Sequence, residues 1–523
     1  MNLLTDPLFR VRLSEGATRA SLPELLALLG EDRVESLPGL QRHQEDALHI
    51  FLCYLAGAVL DRQGVADPRQ TADFWLQSIR TLTTSEGCDN DDAWILAVAD
   101  PTRPAFLQPP APSKVVFDKD YKPKAASPDA LDVLQTAKNH DIKASRGDVM
   151  DLEGWAYALL SAQTMTGLLG RGSGGGMNRG ISRMNSGYGS RPRVDWLPSF
   201  RLGKQFTWNI ENLLRHRPVQ LSLPFGYQPD GKVLLWIPLW DGNTSHSLSS
   251  LDPFFIEIAR RYRLVFVGAN IQLWAAGSAQ TFIGGADLLK GNVGDPWIPI
   301  SSKTNGALTV PASGLTPELL RNLMFADAGF QPAVMQQIPT GQGAGWFAAS
   351  VLVRGQGTTD GFHEAAIRIP EKARPVLFGK SPVRDRLAVL SKLGLDMASA
   401  IQYRVLQPAL YALMEGGPVS INLDKREISQ WVGSTASSFT RDWHPRYFDW
   451  LWTTLDQPND SGAMKPWFEQ LHRLAETVLE QSIRRVPMRH GRDYRAKVRA
   501  RGMFYGSLKK HFETYLETPH EHP

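Results

Sequence analysis

The spacing of hydrophobic and polar positions is helical through most of the first part of this chain. Ser21-Leu22-Pro23-Glu24 has the pattern of a capping box with proline in the first turn, which predicts that a helix begins there. Residues 101–128 are rich in proline and lysine and predict a loop or linker. Helices are predicted over residues 25–29, 40–60, 71–82 and 152–169.

The pattern between residues 218 and 310 is more typical of β-structure, with helical stretches mixed in. Strands and helices follow one another there without the regular spacing of βαβ units. The sequence therefore predicts an α+β domain. Strands are predicted over residues 219–223, 233–240, 264–274 and 297–300, and helices over 251–262 and 316–328.

A β-hairpin is predicted over residues 346–369, where two apolar, alternating runs flank a polar turn. Three glycines lie within seven residues at this turn, so the backbone can take positive φ and approach another surface closely. Gln356 is the long side chain between two of them, and its shape suits insertion into a narrow groove. A flexible surface loop is the alternative that such a composition ordinarily indicates. The residues at the turn are Arg354, Gly355, Gln356 and Gly357.

Only helical periodicity remains after residue 379. Four helices, each with one apolar stripe, predict a four-helix bundle. The expected architecture is α+β, with a large mixed N-terminal domain over residues 1–378 followed by the C-terminal four-helix bundle over 379–523. The four helices are predicted over residues 382–416, 436–455, 466–483 and 493–516.

Composition limits the kinds of partner and of site. Lysine and arginine exceed aspartate and glutamate by only 57 to 53, so any nucleic-acid site must be local. With Cys53 and Cys88 as the two cysteines, the chain alone cannot build a disulfide framework or a cysteine-based zinc site. The longest apolar run, 47–60, is too short to span a bilayer, and the N-terminus lacks the regions of a signal peptide. A cytoplasmic protein without membrane contact is expected.

The most unusual composition lies over residues 170–189, where eight of twenty residues are glycine and arginines are interleaved. Residues 170–175 satisfy the dinucleotide pattern G-x-G-x-x-G, but a helix precedes them and no helix-forming run follows, so the match is weak. One interpretation is a disordered basic linker. The other is a loop that lays backbone amides and arginines along phosphates.

A second basic region leads into the last helix. From Arg484 to Lys510 there are ten lysines or arginines against the single acid Asp493. Charged faces ordinarily alternate in sign, and this one does not, which favours a phosphate-binding stripe over a solvated face. If the last helix begins early enough, the spacing places five arginines on one helical face. They are Arg485, Arg489, Arg492, Arg495 and Arg499.

The sequence contains no recognisable catalytic motif. It lacks H-E-x-x-H, G-x-S-x-G, a Walker motif and C-x-x-C. We therefore expect neither an enzyme nor a cofactor. Two alternatives stay open, namely a nucleotide-dependent enzyme that uses the Gly170 loop and a free-standing single-stranded nucleic-acid-binding protein.

Four segments, taken in order, resemble one known family. They are Met1-Asn2-Leu3-Leu4-Thr5-Asp6, Pro104-Ala105-Phe106-Leu107-Gln108, the glycine-rich run 172–180 and the hairpin turn 354–364. Together with a C-terminal helical bundle, they cover nearly the whole chain. On these segments the chain resembles the CasA family, the large subunits of the type I-E CRISPR surveillance complex Cascade.

The resemblance implies a subunit that recognises a protospacer-adjacent motif in duplex DNA through the minor groove and starts strand separation. Its implied partners are target DNA, the other Cascade subunits with their guide RNA, and a recruited nuclease-helicase that cuts the DNA. Gln356 would be a wedge between base pairs, and Lys290 would match the motif-sensing lysine. No metal is implied, because the cysteine pairs of some relatives are absent here. The implied DNA-contacting residues are Arg354, Gly355, Gln356, Gly357, Gly172, Gly174, Gly175, Gly176, Asn178, Arg179 and Lys290.

Overall fold

The computed structural model of the chain contains both helices and strands, and the strands are mostly short. No cis peptide bond occurs in its described part. The structure describes residues 1–132, 151–164, 185–186, 189–190, 192–284, 289–325, 329–337, 343–354, 359–378, 382–416, 426–457, 459–486 and 493–516.

The chain divides into two compact units. The first contains Met1–Leu315 and Ala326–Ile369, and the second contains Thr316–Phe325 and Pro370–Pro523. The division therefore falls after Ile369, whereas the sequence prediction put it after residue 378. A short helix predicted for the mixed domain also groups with the C-terminal unit.

The first unit contains seven α-helices in the part of the chain that the structure describes. The capping box at Ser21 is confirmed, because its hydroxyl accepts from the Glu24 amide while the Glu24 carboxylate accepts from the Ser21 amide. The helices are α1 Leu22–Gly30, α2 Arg42–Gln63, α3 Ala72–Ser85, α4 Lys114–Asp120, α5 Pro128–Leu131, α6 Leu152–Thr164 and α7 Leu202–Leu221.

The strands of the first unit form several small sheets rather than one large one. Two three-stranded sheets have the orders β3-β10-β9 and β14-β13-β6, and the remaining strands pair two by two. The strands are β1 Phe9–Leu13, β2 Gly16–Ala20, β3 Lys122–Ala125, β4 Asn185–Ser186, β5 Gly189–Ser190, β6 Arg193–Leu197, β7 Lys232–Leu234, β8 Leu251–Ile256, β9 Arg261–Val267, β10 Asn270–Ala276, β11 Ile300–Ser301, β12 Phe330–Gln331, β13 Gly345–Arg354 and β14 Thr359–Ile369.

Helix α2 lies at the centre of the first unit's core. Its residues from Ala47 to Leu60 are buried almost without a break, so its apolar run is a core helix, as its length indicated. Phe51 packs edge-on against Phe106, with ring centroids 5.6 Å apart. Trp94 and Trp236 extend this aromatic cluster at 5.4 Å. These large rings supply much of the apolar area that stabilises the unit.

Two buried glutamines fasten β9 to the segments around it. The Gln108 amide donates to the carbonyls of Leu96 and Phe106 and accepts from the Leu264 amide. Gln163 donates to the carbonyls of Leu107 and Arg260 and accepts from the Ala259 and Arg260 amides. The segment 104–108 that contributed to the family resemblance therefore has a structural role here.

Several predicted elements of the mixed domain are wrong. The predicted strand over 233–240 ends at Leu234, the one over 264–274 is the hairpin of β9 and β10, and only Ile300 of the one over 297–300 lies in a strand. The predicted helix over 251–262 contains strand β8, because a strand buried on both sides is a continuous apolar run that periodicity cannot distinguish from a buried helix. The predicted strand over 219–223 is largely the end of α7, which continues through Pro218. The predicted loop over 101–128 contains α4, whose amide at Val116 is capped by the Ser113 hydroxyl, and also β3.

The four helices predicted for the bundle are all found in the second unit. The first predicted helix has three consecutive parts, α10 Pro382–Ala400, a π-helical stretch Ile401–Leu406 and α11 Gln407–Met414. The π-helical stretch ends just before Pro408, which has no amide proton for an α-helical hydrogen bond. The other helices of the unit are α8 Pro317–Met324, α9 Arg374–Phe378, α12 Arg426–Thr453, α13 Asp460–Arg485 and α14 Asp493–Leu516.

Tryptophans fill the core of the bundle. The Trp450 and Trp467 rings stack with centroids 4.9 Å apart, and Trp467 Nε1 donates to the Gly394 carbonyl at 3.0 Å. A Cβ at Gly394 would lie 2.4 Å from the Trp450 ring, so this helix can approach the ring only through glycine. Helix α8 joins the same unit, because Arg321 donates to Ser391 and to the Ala388 carbonyl of α10.

Among the helices that the structure describes, none is both long enough and apolar enough to cross a membrane.

Candidate nucleic-acid interface

The hairpin predicted from the sequence is present and is part of the sheet β14-β13-β6. Its strands β13 and β14 are antiparallel and stay paired from Gly345 with Ile369 up to Arg354 with Thr359. The four residues between them, which include Gly355, Gln356 and Gly357, lie outside the described residues. The structure therefore describes both strands that flank this turn, up to Arg354 on one side and from Thr359 on the other.

Strand β6 brings the chain after the glycine-rich segment to the same end of the sheet. It is antiparallel to β13, with Arg193 opposite Ser350 and Leu197 opposite Trp346. The first residue of β6 is thus the one nearest the Gln356 turn. Strand β5, at Gly189–Ser190, lies directly before it in the chain and contacts β13. Two segments that are far apart in sequence therefore reach the same end of the sheet, the end near the Gln356 turn, which we call the tip edge.

Gly172, Gly174, Gly175, Gly176, Asn178 and Arg179 all lie outside the described residues. What the structure adds is the position of the strands that follow them.

A buried ionic network holds β6 and β13 below the tip edge. Arg193 donates to Asp46 of α2 at 2.9 Å and to Asp195 at 3.0 Å, and all three side chains are almost completely buried. The Ser350 hydroxyl of β13 donates to the other oxygen of Asp46. Burial opposes the charge of Arg193, but the carboxylates of Asp46 and Asp195 prevail and raise its pKa. The network therefore contains a charged guanidinium that joins α2, β6 and β13.

Neighbouring groups complete the hydrogen bonds of Asp195. Asn209 of α7 donates to it at 3.0 Å, and the Trp297 indole donates to it at 3.3 Å. The Val194 amide of β6 also donates to the Trp297 carbonyl at 2.9 Å. Because a buried ion pair is stable only when its remaining polar atoms are satisfied, these contacts make the base of the hairpin rigid.

Lys290 lies in a turn that leads to this base. It is exposed and takes φ of 47°, followed by Gly291 at 77°. Its carbonyl accepts from the Ala307 amide at 3.2 Å. The chain then runs through Asp295, which accepts from the Tyr54 hydroxyl at 3.0 Å, to Trp297 beside the first residues of β6. Lys290 thus has a rare left-handed backbone conformation, and the anchored loop presents its side chain to solvent.

The predicted arginine stripe is not one helical face. Arg485 is the last residue of α13, whereas Arg495 and Arg499 are exposed on α14, which begins only at Asp493. Arg489 and Arg492 lie outside the described residues. The condition for a single arginine face, a last helix that begins before Arg485, is therefore not met, since α13 ends there and its following residue, Val486, has extended backbone.

The aromatic residues of α14 separate into two groups. Phe504 is fully buried and packs in the bundle, near His472 of α13. Tyr494 is 81% exposed, and Tyr505 is 45% exposed while its hydroxyl donates to Glu476. Arg501 also binds Glu480 through two bonds of 2.7 Å, which ties α14 to α13. The exposed part of α14 thus combines arginines with tyrosines, a combination that suits nucleic-acid strands.

Sequence reasoning missed the residues that hold the site together. Arg193 and Asp195 alternate with apolar residues in a strand, which is a signal for charged side chains on one face, but the sequence does not show that this face is buried. Arg260, Arg261 and Arg263 are also buried, around β9, where Arg263 donates to the carbonyls of Gln108 and Asp100. Such arginines are recognisable only when their carbonyl partners are known.

Comparisons with solved structures find the same fold in several CRISPR-associated proteins. Thermobifida fusca Cse1 aligns with a TM-score of 0.64 and 13% identity, over 99% of both chains. Cse1 from Acidimicrobium ferrooxidans aligns with a TM-score of 0.62 and 15% identity, over 99% of both chains. Thermus thermophilus CasA (Cse1) aligns with a TM-score of 0.58 and 15% identity, over 98% of this chain and 99% of that one. No family model and no curated protein matches the sequence. The mixed fold with its C-terminal helical region is thus the Cse1 fold.

Proposed function

We propose that this chain is the large subunit of an RNA-guided CRISPR complex of the type I-E Cascade kind, working in the cytoplasm. Within that complex it would recognise a protospacer-adjacent motif in duplex DNA through the minor groove, begin strand separation and help to recruit the nuclease-helicase. The shared fold over nearly the full length of Cse1 proteins supports the assignment to this complex.

The observation that carries the DNA-reading part is the register of the sheet β14-β13-β6. It brings the strands around Gln356 and the strand after the glycine-rich segment to one tip edge. A minor groove is only about 6 Å wide and shows a degenerate set of acceptors. Glycine backbone and a single amide side chain can enter such a groove, and a reader of this kind accepts several related motifs.

Strand opening follows from insertion at this edge. Separating one base step costs a few kcal/mol of stacking, which contacts to phosphates from Arg171, Arg179 and Lys290 would offset. Guide RNA pairing would then supply the sequence specificity and extend the opening. Rigidity at the foot of the hairpin is important here, because a hairpin that bent there would deform before the stacked base pairs separated.

Lys290 is our candidate for the motif-sensing lysine. Its exposed side chain, its left-handed backbone and the anchoring of its loop through Trp297 to β6 support this role. An ammonium group can donate to the acceptors in the minor groove.

Arg485, Arg489, Arg492, Arg495 and Arg499 are proposed to bind the displaced strand. Changing both Arg495 and Arg499 to Ala removes two cations from the exposed surface of α14. Each lost contact to single-stranded phosphate lowers the slope of log K against log salt by about 0.7, so we expect the assembled complex to lose about 1.4 in slope. Filter binding of R-loop substrates between 50 and 300 mM salt measures this.

The matched control changes Lys114 and Lys119, two exposed lysines on α4, to Ala, which alters the net charge equally. Its slope should equal that of the wild type. If the arginine variant also keeps the wild-type slope, the arginines do not contact the displaced strand.

Reconstitution tests the proposed function directly. Co-expressed with a type I-E guide RNA and the other Cascade subunits, the tagged chain should purify with both, and the complex should open a matching duplex only beside a suitable motif. Purification of the chain alone would contradict the proposal. A melting temperature raised by ATP or NAD would instead favour a nucleotide-dependent enzyme, and tight binding of single strands without RNA or partners would favour a free-standing binder.

A further inference from the structure

A groove of about 500 Å³ opens on the face of the sheet in the first unit, between β13, β14 and the first half of α2. Its floor contains Ala348 and Ala366, which are opposite each other in the register of the two strands. Because both side chains end at Cβ, they leave the space above the strands open. The groove lies on the sheet's face, and its lining reaches Arg193, the residue of β6 nearest the turn.

One end of this α2 groove is apolar. Leu197, Phe200 and Leu202 line it, and Phe200 packs against Trp346 with ring centroids 5.0 Å apart. Phe200 is still 45% exposed. An exposed phenylalanine beside a groove is a typical contact for one large apolar side chain of a ligand.

The other end of the groove is acidic. Glu45, Asp46, Asp195 and Glu364 line it, against Arg42 and Arg193, so carboxylates exceed guanidinium groups by two. Arg193 is already paired with Asp46 and Asp195. Arg42 binds Glu45 at 2.6 Å and Glu364 at 2.8 Å, and Glu364 remains 57% exposed. This excess attracts a cation and repels phosphate.

His49 lines the groove without adding a positive charge. Asn209 donates its amide to Asp195, so its carbonyl oxygen accepts from His49 Nε2–H at 2.6 Å. That tautomer leaves Nδ1 as an acceptor. Burial, with the charge of Arg193 nearby, lowers the pKa of His49 well below its usual value. The imidazole is therefore neutral at pH 7 and leaves the acidic excess of the groove unchanged.

We propose that the α2 groove binds a short segment of a partner protein that carries an arginine or lysine next to an aromatic or large aliphatic residue. The basic side chain would lie beside Glu45 and Glu364, whose two carboxylates share the single guanidinium of Arg42 and so keep one negative charge in excess. The apolar side chain would lie over Ala348 and Ala366, against Phe200. The acidic excess favours a protein segment over a nucleic-acid strand as the occupant. This inference is independent of the proposed DNA-reading function.

Fluorescence anisotropy with two labelled pentapeptides, GRFRG and GEFEG, tests the proposal on the full chain. GRFRG should bind, with affinity that falls as salt rises, while GEFEG should not. Ala366→Trp fills the groove above an exposed strand position and should weaken GRFRG about tenfold or more, because the apolar side chain loses its place. Val115→Trp, at a position 78% exposed on α4, is the matched control and should bind as the wild type does.

A second variant makes the test independent of how Ala366→Trp folds. Glu45→Gln combined with Glu364→Gln keeps the shape of the groove and removes its acidic excess, so GRFRG should again bind several-fold more weakly. Equal binding of both peptides, or undiminished binding of GRFRG by the double variant, would overturn the proposal. Displacement of GRFRG by a 15-nucleotide single strand would identify a nucleic acid as the occupant instead.

Discussion

Gln356→Ala should leave folding unchanged and slow R-loop formation on an intact duplex about ten- to a hundredfold. The side chain would hold apart one base step, and losing about 1.4 to 2.8 kcal/mol of that stabilisation corresponds to this range. Because the change lies at a turn beyond the paired strands, the hairpin keeps its register. Permanganate reactivity of unpaired thymines over time, in the reconstituted complex, measures the opening.

Two controls separate insertion from general loss of binding. Gln77→Ala removes the same amide from an exposed position on α3 and should open DNA at the wild-type rate. A duplex with a preformed bubble beside the motif should restore opening by Gln356→Ala, because the step that the side chain assists is already complete. If the variant opens intact duplex as fast as the wild type, the wedge hypothesis is wrong.

Asp46→Ala should be strongly destabilising, by about 3–5 kcal/mol, because Arg193 then keeps a buried charge with one of its two carboxylates lost. Ser350 also loses its acceptor. Hydrogen exchange of peptides from residues 345–354 and 359–369, measured by mass spectrometry on the full chain, reports the local free energy of opening. Faster exchange should appear there before it appears in the bundle.

A graded series tests the cause of that loss. Ser350→Ala removes one hydrogen bond but keeps the ion pair, so its expected cost is about 1 kcal/mol. Lys114→Ala removes an exposed pair with Asp118 on α4 and should cost well under about 1 kcal/mol. If the hairpin exchanges hydrogen as slowly in Asp46→Ala as it does in Lys114→Ala, the buried network is not what holds β13 in place.

Local signals predicted the helices of the bundle and those of the first hundred residues, but not α4 or α7. The capping box at Ser21 and the spacing in the bundle identify helices that the structure confirms, including α14, whose ends at Asp493 and Leu516 match the prediction. The family resemblance, drawn from short segments spread along the chain, agrees with the fold of the Cse1 structures. The helix predictions rest on contacts between residues a few positions apart, and the sequence shows such neighbours directly.

The errors occur where distant contacts decide the structure. The segment 251–262 has helical periodicity, yet β8 forms there because β7 pairs with it and Arg217 binds Asp252. Likewise, Arg193 is unremarkable in sequence, and only the packing of α2 against β6 and β13 makes it a buried ion pair. Gln356 and the glycine-rich residues were recognised from composition, but the pairing of β6 with β13, the strands next to them in the chain, joins residues about 150 positions apart.

The firm base of the hairpin also bears on how such proteins diverge. Because Asp46, Arg193 and Ser350 fix the strands well below the turn, we expect the paired strands to tolerate substitutions at positions 355–358. In the proposed function, a lineage could then change the motif that it tolerates through a few substitutions, keeping pace with viral escape. The Cse1 structures share this architecture at 13–15% identity, so the fold itself tolerates extensive substitution.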